Sequence, residues 1–329
     1  IGGRVSLTGA NVTVRGVIDA PAGAVAVAGS NVTVESTARM LARGATRIIT
    51  DFRGERGGTV HDGGSVALEG FTHLIPFAAG HEIIRQGRKR LHLIRMTPDL
   101  IYDQMIGMGC ADRLTFSWGG NPGVGSLHRL RDAVENHWPN ALRLNEHTHA
   151  GMAAAFTAGA SHLPFGVLLV YIGTVLTHFN PSIKSLRCPF TDEDLTAIPA
   201  LNPDVTILHA QKADRLGNVW MEGITGAGRE AGLAARHLII TVEEIVEAFA
   251  PAMNAVLFPH WLVTAVVHCP GGAYPSYAQG YYPRDNAFYL EWDAIARDRT
   301  RFLDWMQTHV LDVKDQRQFL RMIRAEAGA

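Results

Sequence analysis

The pattern of apolar and polar positions changes near residue 64. Over the first 34 residues the two alternate, and Gly9-Ala10-Asn11-Val12-Thr13-Val14 recurs as Gly29-Ser30-Asn31-Val32-Thr33-Val34. A period of two predicts half-buried strands, although two copies do not define a solenoid. Ala38–Arg47 reads as a short helix and Arg53–Gly64 as a glycine-rich connector. Beyond Gly64, short apolar runs alternate with helical periods. Ser65–Leu68, Leu91–Met96, Leu114–Trp118, Leu142–Asn145, Phe165–Ile172, Val205–Ala210, Leu238–Thr241 and Ala255–Phe258 predict strands, most of them buried. Gly80–Arg90 predicts a helix whose basic end suits the macrodipole. Ser126 offers an N-cap to a helix with the stripe Leu127, Leu130, Val134 and Trp138. Thr191 with Asp194, and Thr241 with Glu244, have the spacing of capping boxes. Phe288, Trp292, Ile295, Phe302 and Trp305 mark one stripe of a long C-terminal helix.

This alternation predicts an α/β fold with a mainly parallel sheet and flanking helices, preceded by a β-prone N-terminal extension. The expected divisions are an atypical extension over 1–56, a main domain over 57–312 and a C-terminal helix or tail over 313–329. The longest apolar stretch, Leu163–Thr177, contains Pro164, Gly166 and Gly173. It falls short of the roughly 18 apolar residues of a membrane span and reads as core.

Composition narrows the function classes. Thirty Lys plus Arg balance 31 Asp plus Glu, a formal charge of −1. That leaves no basic footprint for nucleic acid and no polybasic membrane anchor. With 47% hydrophobic and 19% charged residues, the chain can bury a core and is not globally disordered. Cys110, Cys188 and Cys269 are widely separated and form no CxxC pair. Neither a disulfide framework nor a zinc ribbon is expected, and a cytoplasmic location fits. The chain opens without a basic segment followed by an apolar run, so no signal peptide is expected.

Candidate chemistry sits where strands end. Gly120-Asn121-Pro122-Gly123-Val124-Gly125-Ser126 is a glycine-rich turn into a helix, suited to hold a phosphate or an acyl oxygen on backbone N–H groups. It lacks a P-loop lysine and the GxGxxG spacing, so a plain tight turn explains it as well. Glu146-His147-Thr148-His149 would put two imidazoles on one side of a strand. No third ligand follows from spacing, and no metal site is assigned. Glu146 ends a predicted strand and is a candidate acid or base. Glu69 ends another, at the carboxyl edge where α/β ligand sites gather. Gly271-Gly272 precedes Tyr274, Tyr277, Tyr281 and Tyr282, a loop suited to a cleft or a subunit contact. From the residues alone, the reading stops at an α/β domain with glycine turns suited to an anionic or acyl ligand.

Five blocks, taken together in order, resemble the alpha (A) subunit of class I coenzyme A transferases, on the glutaconate and 3-oxoacid branch. They are Asp62-Gly63-Gly64-Ser65-Val66-Ala67-Leu68-Glu69-Gly70-Phe71-Thr72 with Pro76; Ser117-Trp118-Gly119-Gly120-Asn121-Pro122-Gly123-Val124-Gly125; Cys188-Pro189-Phe190 with Asn202-Pro203-Asp204-Val205; His209-Ala210-Gln211-Lys212-Ala213-Asp214-Arg215-Leu216-Gly217-Asn218; and Thr241-Val242-Glu243-Glu244-Ile245-Val246 with Pro270-Gly271-Gly272-Ala273. The resemblance spans roughly residues 60–310. It implies a two-subunit enzyme, arranged as an α2β2 heterotetramer, with coenzyme A as a substrate moiety and no permanently bound cofactor or metal. It also implies a glutamate that attacks an acyl-CoA, forms a mixed anhydride and then a glutamyl-CoA thioester, and passes CoA to a second carboxylic acid. That glutamate belongs to the beta subunit in the family, and no matching motif occurs here. Gly70, Phe71, Thr72, Gly119, Gly120, Asn121, Gly123 and Gly125 are the substrate- and CoA-binding surface so implied.

Three departures qualify the resemblance. Glu69 stands where many relatives have glycine. A hydrolytic branch of the family acts on a ring-derived acyl-CoA in bacterial steroid breakdown with an alpha-subunit glutamate, and Glu146 is the nearest match to it here. Residues 1–56 match nothing expected of the family. The alternatives to a transferase are therefore a hydrolase subunit using Glu146 or Glu69, and a non-catalytic acyl-CoA-binding subunit.

Overall fold

The computed structural model describes residues 60–122, 124–249 and 253–326 with their side chains, the backbone of Ala327, and, within residues 1–59, the backbone of eight strands. These are β1 (Arg4–Thr8), β2 (Asn11–Val14), β3 (Val17–Pro21), β4 (Ala24–Ala28), β5 (Asn31–Val34), β6 (Arg39–Arg43), β7 (Ile49–Thr50) and β8 (Arg56–Gly57). β4, β5 and β6 pair in parallel with β1, β2 and β3 in turn, so the second pass retraces the first. The sequence repeat sets the register, with Asn11 opposite Asn31 and Val12 opposite Val32. Of the helix expected over Ala38–Arg47, Ala38 and residues 44–47 lie outside the described residues. Its Arg39–Arg43 segment is β6, held by pairing with β3, which overrides local propensity.

The main domain alternates strand and helix as far as α4: β9 (Ser65–Leu68), α1 (Phe77–Arg85), β10 (Leu91–Ile94), α2 (Leu100–Gly107), β11 (Ala111–Phe116), α3 (His128–Glu135), β12 (Arg143–Glu146) and α4 (His149–Ala160). A small unit follows, with β13 (Phe165–Leu168), α5 (Leu176–Phe179), β14 (Lys184–Arg187) and β15 (Asp194–Pro199). The chain then returns through β16 (Val205–Asp214), β17 (Val219–Met221), α6 (Gly228–Ala234), β18 (His237–Val246), β19 (Val256–Phe258) and β20 (Ala265–His268). It closes with α7 (Asn286–Arg297), α8 (Arg299–Met306) and α9 (Gln316–Ala327).

Among the described residues the main sheet has nine strands. β12, β11, β10, β9, β16, β18 and β20 lie side by side in that order, all parallel. β17 and β19 add antiparallel pairing at the far end of β16. Successive strands step one way from β9 to β12, and the other way from β16 to β20. The direction of winding therefore reverses between β9 and β16, and α/β folds open a crevice at the carboxyl end of such a point.

Both faces of the sheet are covered, which explains the continuous apolar runs in its strands. On one face α1, α2, α3, α7, α8 and α9 bury Phe77, Tyr102, Trp292, Phe302 and Phe319. On the other, α4 and α6 pack Met152, Phe156, Ala231 and Ala234 against Ala67 and Ile94. Among the described residues no helix is long and apolar enough to cross a membrane.

Several local expectations are corrected. The first helix starts at Phe77, not Gly80. Ser126 does not cap α3; the first-turn N–H groups of Arg129 and Leu130 donate instead to Asp103 Oδ1 of α2, at 2.8 and 2.9 Å. The C-terminal stripe is divided between α7 and α8, because Asp298 ends one helix and accepts from Arg301 N to begin the next. Neither capping box opens a helix. Asp194 begins β15, and Thr241 lies inside β18, where strand pairing wins over the local signal. Leu163–Thr177 is not core. Only β13 within it is a strand, in a three-stranded antiparallel sheet of order β13-β15-β14, and most of its large apolar side chains face solvent.

Candidate active-site crevice

Glu69 follows β9 at the reversal point and is almost fully buried. Its backbone N–H donates to Ile207 O of β16 at 3.3 Å, and its Oε1 accepts from Met96 N beyond β10 at 3.0 Å. Burial in this apolar sheet pushes the carboxyl up to about 7, against the pull of Arg95 and of the Met96 and Gly70 N–H groups. Arg95 is itself buried. It donates to Gly70 O at 2.7 Å and to Asp99 Oδ1 at 2.9 Å.

The loop after Glu69 is strained. Gly70, Thr72 and Leu74 have φ of 154°, 57° and 53°. A Cβ on Gly70 would lie 2.8 Å from His73 O, so this turn needs glycine. The tyrosine-rich loop holds the turn in place. Leu74 N donates to Tyr277 O, Ser276 Oγ donates to Thr72 O, and Gln279 N donates to His73 Nε2. Phe71 and Thr72 stay half-buried.

The glycine turn after β11 joins the same edge. Met96 O accepts from Ser117 N, Ser117 Oγ and Trp118 N, and Ser117 Oγ lies 3.2 Å from His149 Nδ1 at the start of α4. Within the turn, Gly120 N donates to Pro98 O, Asn121 N to Gly125 O, and Val124 N and Gly125 N to Asn121 O. Those four N–H groups are already engaged. Asn121 is buried and donates to Tyr289 O at 2.7 Å, Gly119 is half-buried, and Gly125 is exposed. Gly123 lies outside the described residues.

Glu146 ends β12, the outermost strand on this side, and its side chain is exposed. Three strand spacings separate it from Glu69, roughly 14 Å, so the two carboxylates do not act as a pair. The histidines beside it serve different partners. His147 is buried against Tyr171 Oη at 3.0 Å, whereas His149 meets Ser117.

The structure adds a cluster to which the sequence pattern assigns no role. His209 of β16 is fully buried, with Nδ1 2.7 Å from Thr241 Oγ1 and Nε2 2.6 Å from Glu243 Oε1. Glu243 also accepts from Tyr282 Oη at 2.6 Å and from Gly271 N at 2.8 Å. Burial pushes Glu243 up, but His209, Tyr282 and the Gly271 N–H outweigh it and hold the carboxyl below its usual range. The signal in the sequence is a histidine and a glutamate inside apolar strand runs.

Two depressions bear on where ligand sits. A small one of about 110 Å3, lined by Met96, Ala153, Thr157, Gly226, Ala227 and Glu230, lies at the carboxyl edge. A larger one of about 520 Å3, with Arg90, His92, Arg113 and Arg143, lies at the opposite, amino ends of the strands. The carboxyl edge carries the strained turn and the buried polar groups, so the crevice there is the candidate site.

The family described as Coenzyme A transferase matches residues 55–269, which hold Glu69, Glu146, His209 and Glu243. The chain belongs to the coenzyme A transferase family. It is 61% identical over 260 residues to the alpha (A) subunit of 3-oxoadipate CoA-transferase from Pseudomonas knackmussii, covering 79% of this chain and 92% of that one. The crystal structure of glutaconate coenzyme A-transferase from Acidaminococcus fermentans aligns with a TM-score of 0.76 at 29% identity, over 80% of this chain and 89% of that one. The cholesterol ring-cleaving hydrolase IpdA subunit of Rhodococcus jostii is 26% identical over 174 residues, 49% of this chain and 58% of that one. The protein is thus a CoA-transferase subunit of the alpha type. Family, enzyme class and α/β fold agree with the expectation drawn from the five sequence blocks.

Proposed function

We propose that this chain is the alpha subunit of a two-subunit, cytoplasmic CoA-transferase that moves CoA from an acyl-CoA to a dicarboxylic 3-oxo acid of the 3-oxoadipate type. The observation that carries this is 61% identity across 92% of the Pseudomonas relative. The partner is a beta subunit, in an α2β2 assembly, and it supplies the nucleophilic glutamate. Its carboxylate attacks the thioester carbonyl and expels CoA thiolate, leaving an acyl-glutamyl anhydride. The thiolate then attacks the glutamyl carbonyl, releases the first acid and leaves a glutamyl-CoA thioester. The acceptor carboxylate repeats the two exchanges in reverse order.

This chain's part is the crevice wall. Burial keeps the Glu69 carboxyl protonated up to about pH 7, which removes from the crevice wall a negative charge that would repel a substrate carboxylate. Gly70, Phe71 and Thr72 line the reversal point, and the Gly119–Gly125 turn flanks it. CoA enters as a substrate moiety, with no resident cofactor or metal in the scheme.

The test is an assay of the chain co-purified with the beta subunit, using a panel of dicarboxyl- and 3-oxoacyl-CoA donors, with and without 3-oxoadipate. New acyl-CoA that requires the acceptor supports transfer. Thiol released without an acceptor would replace it with hydrolysis, for which exposed Glu146 at the sheet edge is the candidate base; Glu146→Gln would then abolish turnover. No turnover with any donor would leave a non-catalytic acyl-CoA-binding subunit.

A further inference from the structure

We propose that the apolar face running from β13 through α5 is the surface on which the beta subunit docks, at the rim of the crevice. Phe165, Val167, Leu169, Ile172, Val175 and Phe179 are 40–81% exposed. Their exposed surface adds up to several hundred Å2, the order of the ~800 Å2 that one side of a standard interface buries and of the largest apolar patches of monomers, which are often functional. No Asp, Glu, Lys or Arg occurs between Ala160 and Lys184. An exposed apolar segment this depleted in charge matches the core of an interface, with Lys184, in line with Val167 across Ala197, at its margin.

Its placement selects the occupant. The segment is tied to the end of β12: Tyr171 Oη lies 3.0 Å from His147 Nδ1 and accepts from Thr148 N at 3.2 Å, and Asn180 Nδ2 donates to Glu146 O at 2.8 Å. Glu146 stands at the carboxyl edge of the sheet, on the same edge as Glu69. A protein seated on the apolar face therefore lies beside the crevice. The proposed reaction, on which this inference rests, needs the nucleophile delivered there by the other subunit. The occupant is accordingly a matching charge-poor apolar face of the beta subunit, and not a second copy of this chain.

The anchors and the exposed row divide the work. Tyr171 and Asn180 are buried and fix the segment to α4 and β12. Val175 and Phe179 are 67% and 81% exposed and contribute little to this chain's own core, so changing them tests docking without testing folding.

The experiment measures binding of purified beta subunit to the immobilised chain, for the wild type, the double variant Val175→Asp with Phe179→Asp, and Leu290→Asp as a similarly exposed control on α7. Circular dichroism and Tm of each chain alone come first and should match the wild type. The expected result is at least a 100-fold weaker Kd for the double variant and a change under twofold for the control. A double variant that binds the beta subunit within twofold of wild type overturns the proposal. So does sedimentation showing that the face pairs two copies of this chain while beta-subunit binding is untouched. Transfer activity is read separately. Beta-subunit binding lost in the double variant, from a wild-type complex that transfers no CoA, upholds the face and removes the functional reading. Wild-type rates and affinity in the double variant uphold the function and remove the face.

Discussion

The crevice and the small antiparallel sheet invert each other's chemistry. At the crevice, Glu69, Arg95, Asp99, His209 and Glu243 are buried in an apolar sheet. On β13 and α5, phenyl and branched aliphatic groups face water instead. Either arrangement costs stability in an isolated chain. Most of the polar atoms of these buried groups are compensated internally, by backbone N–H groups and by one another; Arg95 Nε and Asp99 Oδ2 have no hydrogen-bond partner among the described residues. The exposed apolar groups have no such compensation within the described residues. The first pattern marks a site the chain builds by itself; the second marks one it completes with another protein.

The sharpest way to break the comparison is to unpair the crevice. Glu243→Ala leaves His209, Tyr282 Oη and Gly271 N without their acceptor, and should cost about 3–5 kcal/mol, read from urea unfolding at pH 7. A loss below about 1 kcal/mol would mean that the cluster is not compensated as described. Glu69→Gln comes next, and its effect depends on pH. The folded carboxyl titrates at about 7 and the unfolded one at 4.5, so between these values the native state holds a proton that the unfolded chain has released. Glu69 therefore lowers stability progressively as pH rises from 4.5 to 7. The glutamine variant should match wild type near pH 4.5 and exceed it by on the order of 2–3 kcal/mol at about pH 8, a difference visible in Tm against pH. An offset that does not change with pH would contradict the burial argument.

Smaller effects sharpen the boundary between the regions. Alanine at position 151 should favour α4 by about 1 kcal/mol on propensity alone. Its Cβ, however, would lie 1.7 Å from Tyr171 Oη, the anchor of the small sheet. A net loss of about 1–2 kcal/mol is expected, partly recovered by adding Tyr171→Phe, with thermal unfolding of the single and double variants as the measurement. Phe179→Asp should move the stability of the chain alone by less than about 0.5 kcal/mol, because its side chain is 81% exposed.

The same contrast explains which features the chain shows in its sequence. β9, β10, β16 and β18 are visible there because a parallel strand covered on both faces is a continuous apolar run. The same signal misleads at Phe165–Ile172, since an apolar run reports composition and not whether its cover comes from this chain or another. Glu69 is legible because it directly follows a strand. The His209–Glu243 contact is not, for its partners are 34 residues apart and only the register of β16 on β18 joins them. Thr241 and Glu244 imitate a helix start, which hides the full length of β18. The pairing of β2 with β5 is foreshadowed by the repeated Asn-Val-Thr-Val.

The central claim is that this chain builds the crevice while its partner carries the nucleophile. Intact-mass measurement of both subunits, after mixing the complex with acyl-CoA and no acceptor, tests it directly. The account predicts a CoA thioester on the beta subunit, removed by adding 3-oxoadipate, and no adduct on this chain. A CoA or acyl adduct on this chain, at Glu69 or Glu146, would contradict it.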